Sequence, residues 1–207
     1  MIKKITNLLF LLLIFSITAS AQYGLKYGYF IPTGDVKFAY KNGHSVELKF
    51  RDYFEDHFRV NTSIGLITCS ARQDTIYNLS SYYAGSPGYI VTKVGQVFSN
   101  RTDIFATAGL DFTPFEGTKY LPYVGLSLNT GIVFLNYSEY EESGAYKSSE
   151  DYAYKYIGAR MNLGIEYEVS ETVAAFAEAT YIYNYEESGQ LSNSYMFGLG
   201  LSLYLDL

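Results

Sequence analysis

The sequence predicts an all-β protein, a closed antiparallel up-and-down β-barrel of eight strands that spans a membrane, and three observations carry that expectation. The first is the segment Ser194–Leu207. Tyr195, Phe197, Leu199, Leu201, Leu203, Leu205 and Leu207 share one face of an extended strand, while Ser194, Met196, Gly198, Gly200, Ser202, Tyr204 and Asp206 share the other, because side chains alternate with period two. Such a strand exceeds the usual length of about 5–6 residues and meets the roughly 9–11 tilted residues that cross a bilayer. The second observation is that the same alternation recurs along the chain, with no helical period after Gln22. The third lies at the N-terminus. Lys3 and Lys4, the apolar run Leu8–Ile17 and the small residues Ala19-Ser20-Ala21 form a secretory signal, too short for a spanning helix of about 20 residues.

Two parts are therefore expected: a cleaved signal over residues 1–21 and a barrel domain over 22–207. Removing the signal, which carries two lysines and no acid, takes the formal charge from −6 to −8 and leaves 186 residues. An acidic exported chain without a basic cluster is a poor candidate for nucleic-acid binding. The single Cys69 rules out an intrachain disulfide and reads as a small buried or lumen-facing side chain. With 23 tyrosines and no tryptophan, tyrosine supplies any interfacial aromatic belt.

The spanning segments follow in order. Tyr23–Ile31 sets Tyr23, Leu25, Tyr27 and Tyr29 against Gly24, Lys26 and Gly28, and ends at Pro32-Thr-Gly-Asp35. His44–Tyr53 sets Val46, Leu48 and Phe50 against Glu47, Lys49 and Arg51. A tight turn at Glu55-Asp56 leads to a third strand, where Val60, Thr62, Ile64 and Leu66 oppose Arg59, Asn61, Ser63 and Gly65. Asp103–Thr113 carries Ile104, Ala106, Ala108 and Leu110 on its apolar face, with Asp111 opposite. After a turn at 116–119, Val124, Leu126, Leu128 and Ile132 oppose Gly125, Ser127, Asn129 and Gly131. The sixth strand sets Met161, Leu163 and Ile165 against Arg160, Asn162, Gly164 and Glu166. Ser170-Glu171-Thr172 turns into the seventh, where Ala175, Ala177 and Ala179 oppose Phe176, Glu178 and Thr180. Ser194–Leu207 is the eighth.

Connections near 55, 117 and 171 are short, whereas 33–43, 71–101, 140–151 and 187–193 read as longer polar loops. Short turns on one side and long loops on the other is the transmembrane-barrel arrangement, the short turns being periplasmic. Tyr89–Phe98 is a rival ninth strand without a clean apolar face. An even strand number leaves both ends periplasmic, so eight strands are expected, with ten as the alternative and 71–101 as a surface loop with a hairpin of its own.

Alternation alone does not say which face is inside; a soluble lipocalin-like ligand-binding barrel would bury the apolar one. Here the polar face is rich in Gly, Ser, Asn and Thr with few charges. Glycine weakens a water-facing strand without benefit but suits a narrow lumen, which favours the transmembrane reading.

The export signal, Gly28-Tyr29-x-x-Pro32-x-Gly34, Leu121-Pro-Tyr-Val-Gly125 and Gly164-Ile-Glu-Tyr167 together resemble the small outer-membrane β-barrel family, the group of the OmpA and OmpX barrels. The resemblance spans the mature chain and bears on architecture, not activity. It implies a multi-pass protein in outer-membrane lipid, with the C-terminal strand addressed to the outer-membrane assembly machinery. That signal usually closes on an aromatic residue; Leu207 stands there, which implies weaker recognition.

Nine charged residues fall on the polar face: Lys26, Glu47, Lys49, Arg51, Arg59, Asp111, Arg160, Glu166 and Glu178. An eight-stranded barrel is just filled by its side chains, so these charges are expected to pair as a plug, a gated narrow porin being the alternative. Pairing across the turn at Glu171 puts Arg160 opposite position 182, and makes it the expected centre, with Glu178 and Glu166 as partners. His44 and His57 stand at opposite ends of the second strand and share no metal. His44-Ser45 is the one candidate for a nucleophile and base, with no third element. Neither a cofactor nor enzymatic activity is expected. Loop tyrosines, Tyr82 and Tyr83 above all, are the candidate surface-recognition residues; their extracellular partner is not named by the sequence.

Overall fold

A computed structural model of the chain describes residues 22–34, 36–72, 76–83, 89–115, 118–140, 146–187, 189 and 191–204. The signal segment 1–21 and the last three residues, Leu207 included, lie outside the described residues. The strands are β1 (Gln22–Pro32), β2 (Tyr40–Glu55), β3 (Phe58–Ala71), β4 (Ile76–Tyr83), β5 (Tyr89–Phe98), β6 (Arg101–Phe112), β7 (Tyr120–Tyr140), β8 (Tyr146–Ser170), β9 (Val173–Glu186) and β10 (Leu191–Tyr204), with one helical turn, α1 (Val36–Ala39), after β1.

Eight of these close a ring, in the order β1–β2–β3–β6–β7–β8–β9–β10 and back to β1. Every neighbour is antiparallel. Closure leaves no unpaired edge within the ring, which a hydrocarbon environment requires. Tyr89–Phe98 is a strand but not a ring member: β4 and β5 form a hairpin beyond the ring.

The alternation resolves as a barrel turned inside out relative to a soluble one. Outward residues are apolar and exposed, reaching 63% at Leu163 and 69% at Leu199, whereas Lys26, Arg59 and Glu166 inside are 0–1% exposed. Two aromatic zones flank this belt. At the turn end Tyr23 meets Phe50, Phe58 meets Phe112, and Tyr120 meets Tyr167, with ring centroids 4.9–5.5 Å apart. Towards the other end stand Tyr27, Tyr29 and His44, with Tyr181 against Tyr195. An apolar band between aromatic girdles is the exterior of a bilayer-spanning barrel.

Three expected loops are shorter than the polar composition suggests. Residues 33–43 shrink to a turn carrying α1, β10 begins at Leu191, and 140–151 is mostly strand. Strand propensity yields to cross-strand pairing here, since β7 and β8 stay in register from Tyr120↔Tyr167 up to Glu139↔Ser148. β8 leaves β9 at Tyr156, so Tyr146–Lys155 projects beyond the ring, on the order of 30 Å along the strand. β7 likewise exchanges partners, pairing with β6 up to Phe134 and with β5 from Tyr137 to Tyr140. The outcome is a four-stranded sheet, β4–β5–β7–β8, standing on the barrel rim.

Candidate functional site

The lumen is built by the inward positions of the eight ring strands. The structure places all nine sequence-derived charges, Lys26, Glu47, Lys49, Arg51, Arg59, Asp111, Arg160, Glu166 and Glu178, inside the barrel and buried. Glu178 is a hub. Its Oε1 takes a hydrogen bond from Lys26 at 2.6 Å, and its Oε2 accepts from Lys49 and, at 2.8 Å, from the Tyr123 hydroxyl. Glu166 is a second hub. Its Oε2 accepts from Arg51 at 2.7 Å, and its Oε1 accepts from Gln22 and the Tyr204 hydroxyl at 2.8 and 2.6 Å. Arg51 joins the two, donating also to Tyr123 at 2.7 Å and lying 3.5 Å from Asp111. Arg59 approaches Glu166 at 3.4 Å, and Asn61 holds Asp111 at 3.0 Å. Ion pairs sequestered this way repay desolvation only when each charge is multiply bonded.

Arg160 is not the centre. The register opposite Ile182 is as expected, but Glu178 stands opposite Gly164, four residues nearer the turn end, about 13 Å of strand rise. The Arg160 guanidinium instead stacks on Phe105 at 3.8 Å and lies 3.8 Å from Glu47, which Lys26 already holds at 2.6 Å. Glu166 likewise pairs with Arg51 and Arg59 rather than Arg160.

The lumen glycines explain how this much side chain fits. A Cβ on Gly65 would sit 2.4 Å from Phe105, on Gly131 2.5 Å from Tyr156, on Gly164 2.3 Å from Tyr123 and on Gly200 2.3 Å from Phe176. Each of these four aromatics therefore lies over a glycine of the neighbouring strand. The Arg51 guanidinium in turn lies over both Phe176 and Tyr123, at 4.8 and 4.6 Å, a cation–π arrangement in a desolvated site.

The chain covers the whole of two solved barrels. It is similar to Ail, the attachment invasion locus protein of Yersinia pestis, with 14% identity over 91% of this chain and 100% of that one and a TM-score of 0.51. It is similar to neisserial surface protein A with 14% identity over the same shares and a TM-score of 0.52. The fold is that of the small outer-membrane β-barrels. No protein-family model matches the chain, and no curated protein matches it in sequence. Together with the exposed apolar belt, this fold places the protein in an outer membrane.

Several inward residues of this outer-membrane barrel lie outside the nine charges. Tyr123, Gln22 and Tyr204 complete the two hubs, and parity alone assigns them to the polar face. A second charged cluster sits near the outer end, where Arg101 grips both oxygens of Asp103 at 2.7 and 2.8 Å. Parity finds it too, two strand positions beyond Phe105.

His44 and Ser45 point to opposite faces. His44 Nδ1 lies 2.6 Å from the Tyr27 hydroxyl on the exterior, whereas Ser45 donates inward to the Met196 sulfur at 2.9 Å. They form no nucleophile–base pair. Cys69 is buried, as a reduced thiol on the inner face. Tyr82 and Tyr83 belong to the backbone of β4 rather than to a loop; their side chains lie outside the described residues.

Proposed function

We propose that this protein is a structural and surface-interaction barrel, closed to solutes, that engages its partner through the sheet standing on its rim. One observation carries the reading. Among the described residues, the β4–β5–β7–β8 sheet has two unpaired edges: β4 along its outer side, and β8 over Tyr146–Tyr154. The main chain at Lys155 faces the end of β9, with Glu187 donating to its carbonyl at 2.9 Å. By period two, Ala153, Asp151 and Ser149 aim their N–H and C=O groups at the open edge. Such an edge is a template for strand addition, in which backbone bonds supply affinity and side chains supply selectivity. Exposed Tyr146 and Tyr152 flank it, and tyrosine is favoured at recognition surfaces.

The preference for this reading over a narrow porin rests on the buried, mutually bonded side chains of Glu166, Glu178 and their partners, which occupy the lumen. Ail bears a name for attachment and invasion, so the fold is compatible with such a role. Entry into the membrane through the outer-membrane assembly machinery, which would read β10, belongs to the same proposal, as does cleavage of residues 1–21.

The test uses proteoliposomes of the full mature chain. They are expected to adhere to a surface coated with unfolded casein, an extended polypeptide, and to lose that adhesion when the hairpin outside Asn136 and Asp151 is replaced by a two-residue turn. Equal adhesion before and after the replacement would remove the rim sheet from the function. Reproducible single-channel conductance in planar bilayers would replace the closed barrel with the porin.

A further inference from the structure

Under α1, at the outer end of the lumen, lies a small cavity with room for about one water-sized sphere. Its polar lining includes Arg101, Asp103, Tyr156, Arg160 and Asn184, and its apolar lining includes Ile182. We propose that this cavity binds a single monatomic anion, chloride under physiological conditions, against the guanidinium of Arg160.

Three observations converge. Arg160 is 2% exposed, and Nε, Nη1 and Nη2 all lack a hydrogen-bond partner within the protein. Phe105 covers one face of the guanidinium, so its donors are directed sideways. Second, the carboxylates around it are spoken for. Asp103 is held at both oxygens by Arg101, and Glu47 lies 3.8 Å away and is bridged to Lys26. Glu186, in register beside Tyr156 at the rim, forms no part of the cavity wall. Lys26, Lys49, Arg51, Arg59 and Arg101 each lie within 3.4 Å of a carboxylate oxygen; Arg160 does not. A buried cation left in that state is costly. Third, the space holds about one water-sized sphere, which a monatomic ion can occupy and phosphate or a carboxylate ligand cannot. A neutral water would satisfy donors but leave the charge facing only Glu47, 3.8 Å away and already held by Lys26, so an anion is the better occupant.

Bromide, which replaces chloride and scatters anomalously, is the probe. Crystals of the detergent-folded protein grown in bromide are expected to show an anomalous peak in the cavity, within hydrogen-bonding distance of Arg160. The thermal midpoint is expected to rise when gluconate is exchanged for chloride at constant ionic strength. Arg160→Met should abolish both effects, and Lys147→Met, on the exposed hairpin, should abolish neither. A cavity without a peak, or peaks confined to surface lysines, overturns the proposal whether or not the Arg160 variant folds. A chloride-dependent shift that persists in Arg160→Met overturns it as well.

Discussion

The same chemistry is used twice in this molecule, with different consequences. In the lumen, Lys26 and Glu178 meet at 2.6 Å with side chains 1% and 0% exposed. On the projecting hairpin, Lys147 and Glu139 meet at 3.3 Å, 52% and 20% exposed. The lumen pair cannot separate without leaving a charge stranded in a desolvated interior. The hairpin pair is bathed in solvent, where attraction is screened and the side chains lose entropy to hold one geometry. Tyrosine divides likewise. Tyr123 is 1% exposed and bonded to Arg51 and Glu178, whereas Tyr146, stacked edge-on against Tyr140, is 61% exposed. The ring thus concentrates its polar groups where they specify one packing, and the rim displays them where a partner can reach.

The sharpest way to break this contrast is to remove a hub. Glu178→Ala leaves Lys26, Lys49, Arg51 and the Tyr123 hydroxyl without their shared acceptor. It is expected to lower the unfolding free energy by about 3–5 kcal/mol, read from urea unfolding in lipid vesicles by circular dichroism and by loss of the heat-modifiable gel shift. Arg160→Ala is expected to cost less, about 1–2 kcal/mol, because it surrenders chiefly the stack on Phe105 and a 3.8 Å approach to Glu47. A larger loss for Arg160 than for Glu178 would return Arg160 to the centre of the lumen.

That order could not be read from the chain. Strand parity assigns Lys26, Glu47, Arg51 and Glu178 to the inner face, and the turn at Glu171 places Arg160 opposite Ile182. What parity cannot give is depth. Contacts between strands far apart in sequence, such as Arg51 of β2 with Glu166 of β8, depend on the tilt and stagger of the closed ring. Glycines such as Gly164, legible as small residues suited to a narrow lumen, turn out to be the recesses in which Tyr123 lies. The rim was the least legible region. Asn136, Ser149 and Asp151 look like loop residues, yet they pair across β7 and β8 through side-chain bonds of 2.8–3.3 Å, which extends the ladder where propensity alone would end it.

The smallest thermodynamic effect belongs to the rim, and it separates stability from function. Lys147→Ala is expected to change the unfolding free energy by less than about 0.5 kcal/mol, since its ion pair is half exposed. Ala153→Pro probes the edge itself. Ala153 pairs with Phe134 in register, but two residues before Lys155 its N–H faces away from β7, towards the unpaired side. Proline there removes no ladder bond and fills the position with a ring that a new strand cannot pair with. The barrel midpoint should therefore match that of the parent protein, with adhesion of the proteoliposomes to unfolded casein lost. Adhesion that survives Ala153→Pro and disappears in a Tyr152→Ala variant would assign recognition to the tyrosine side chains instead of the backbone edge. A midpoint that falls as far as in Glu178→Ala would mean that the projecting strands are continuous with the ring in stability, and the contrast between the two regions would fail.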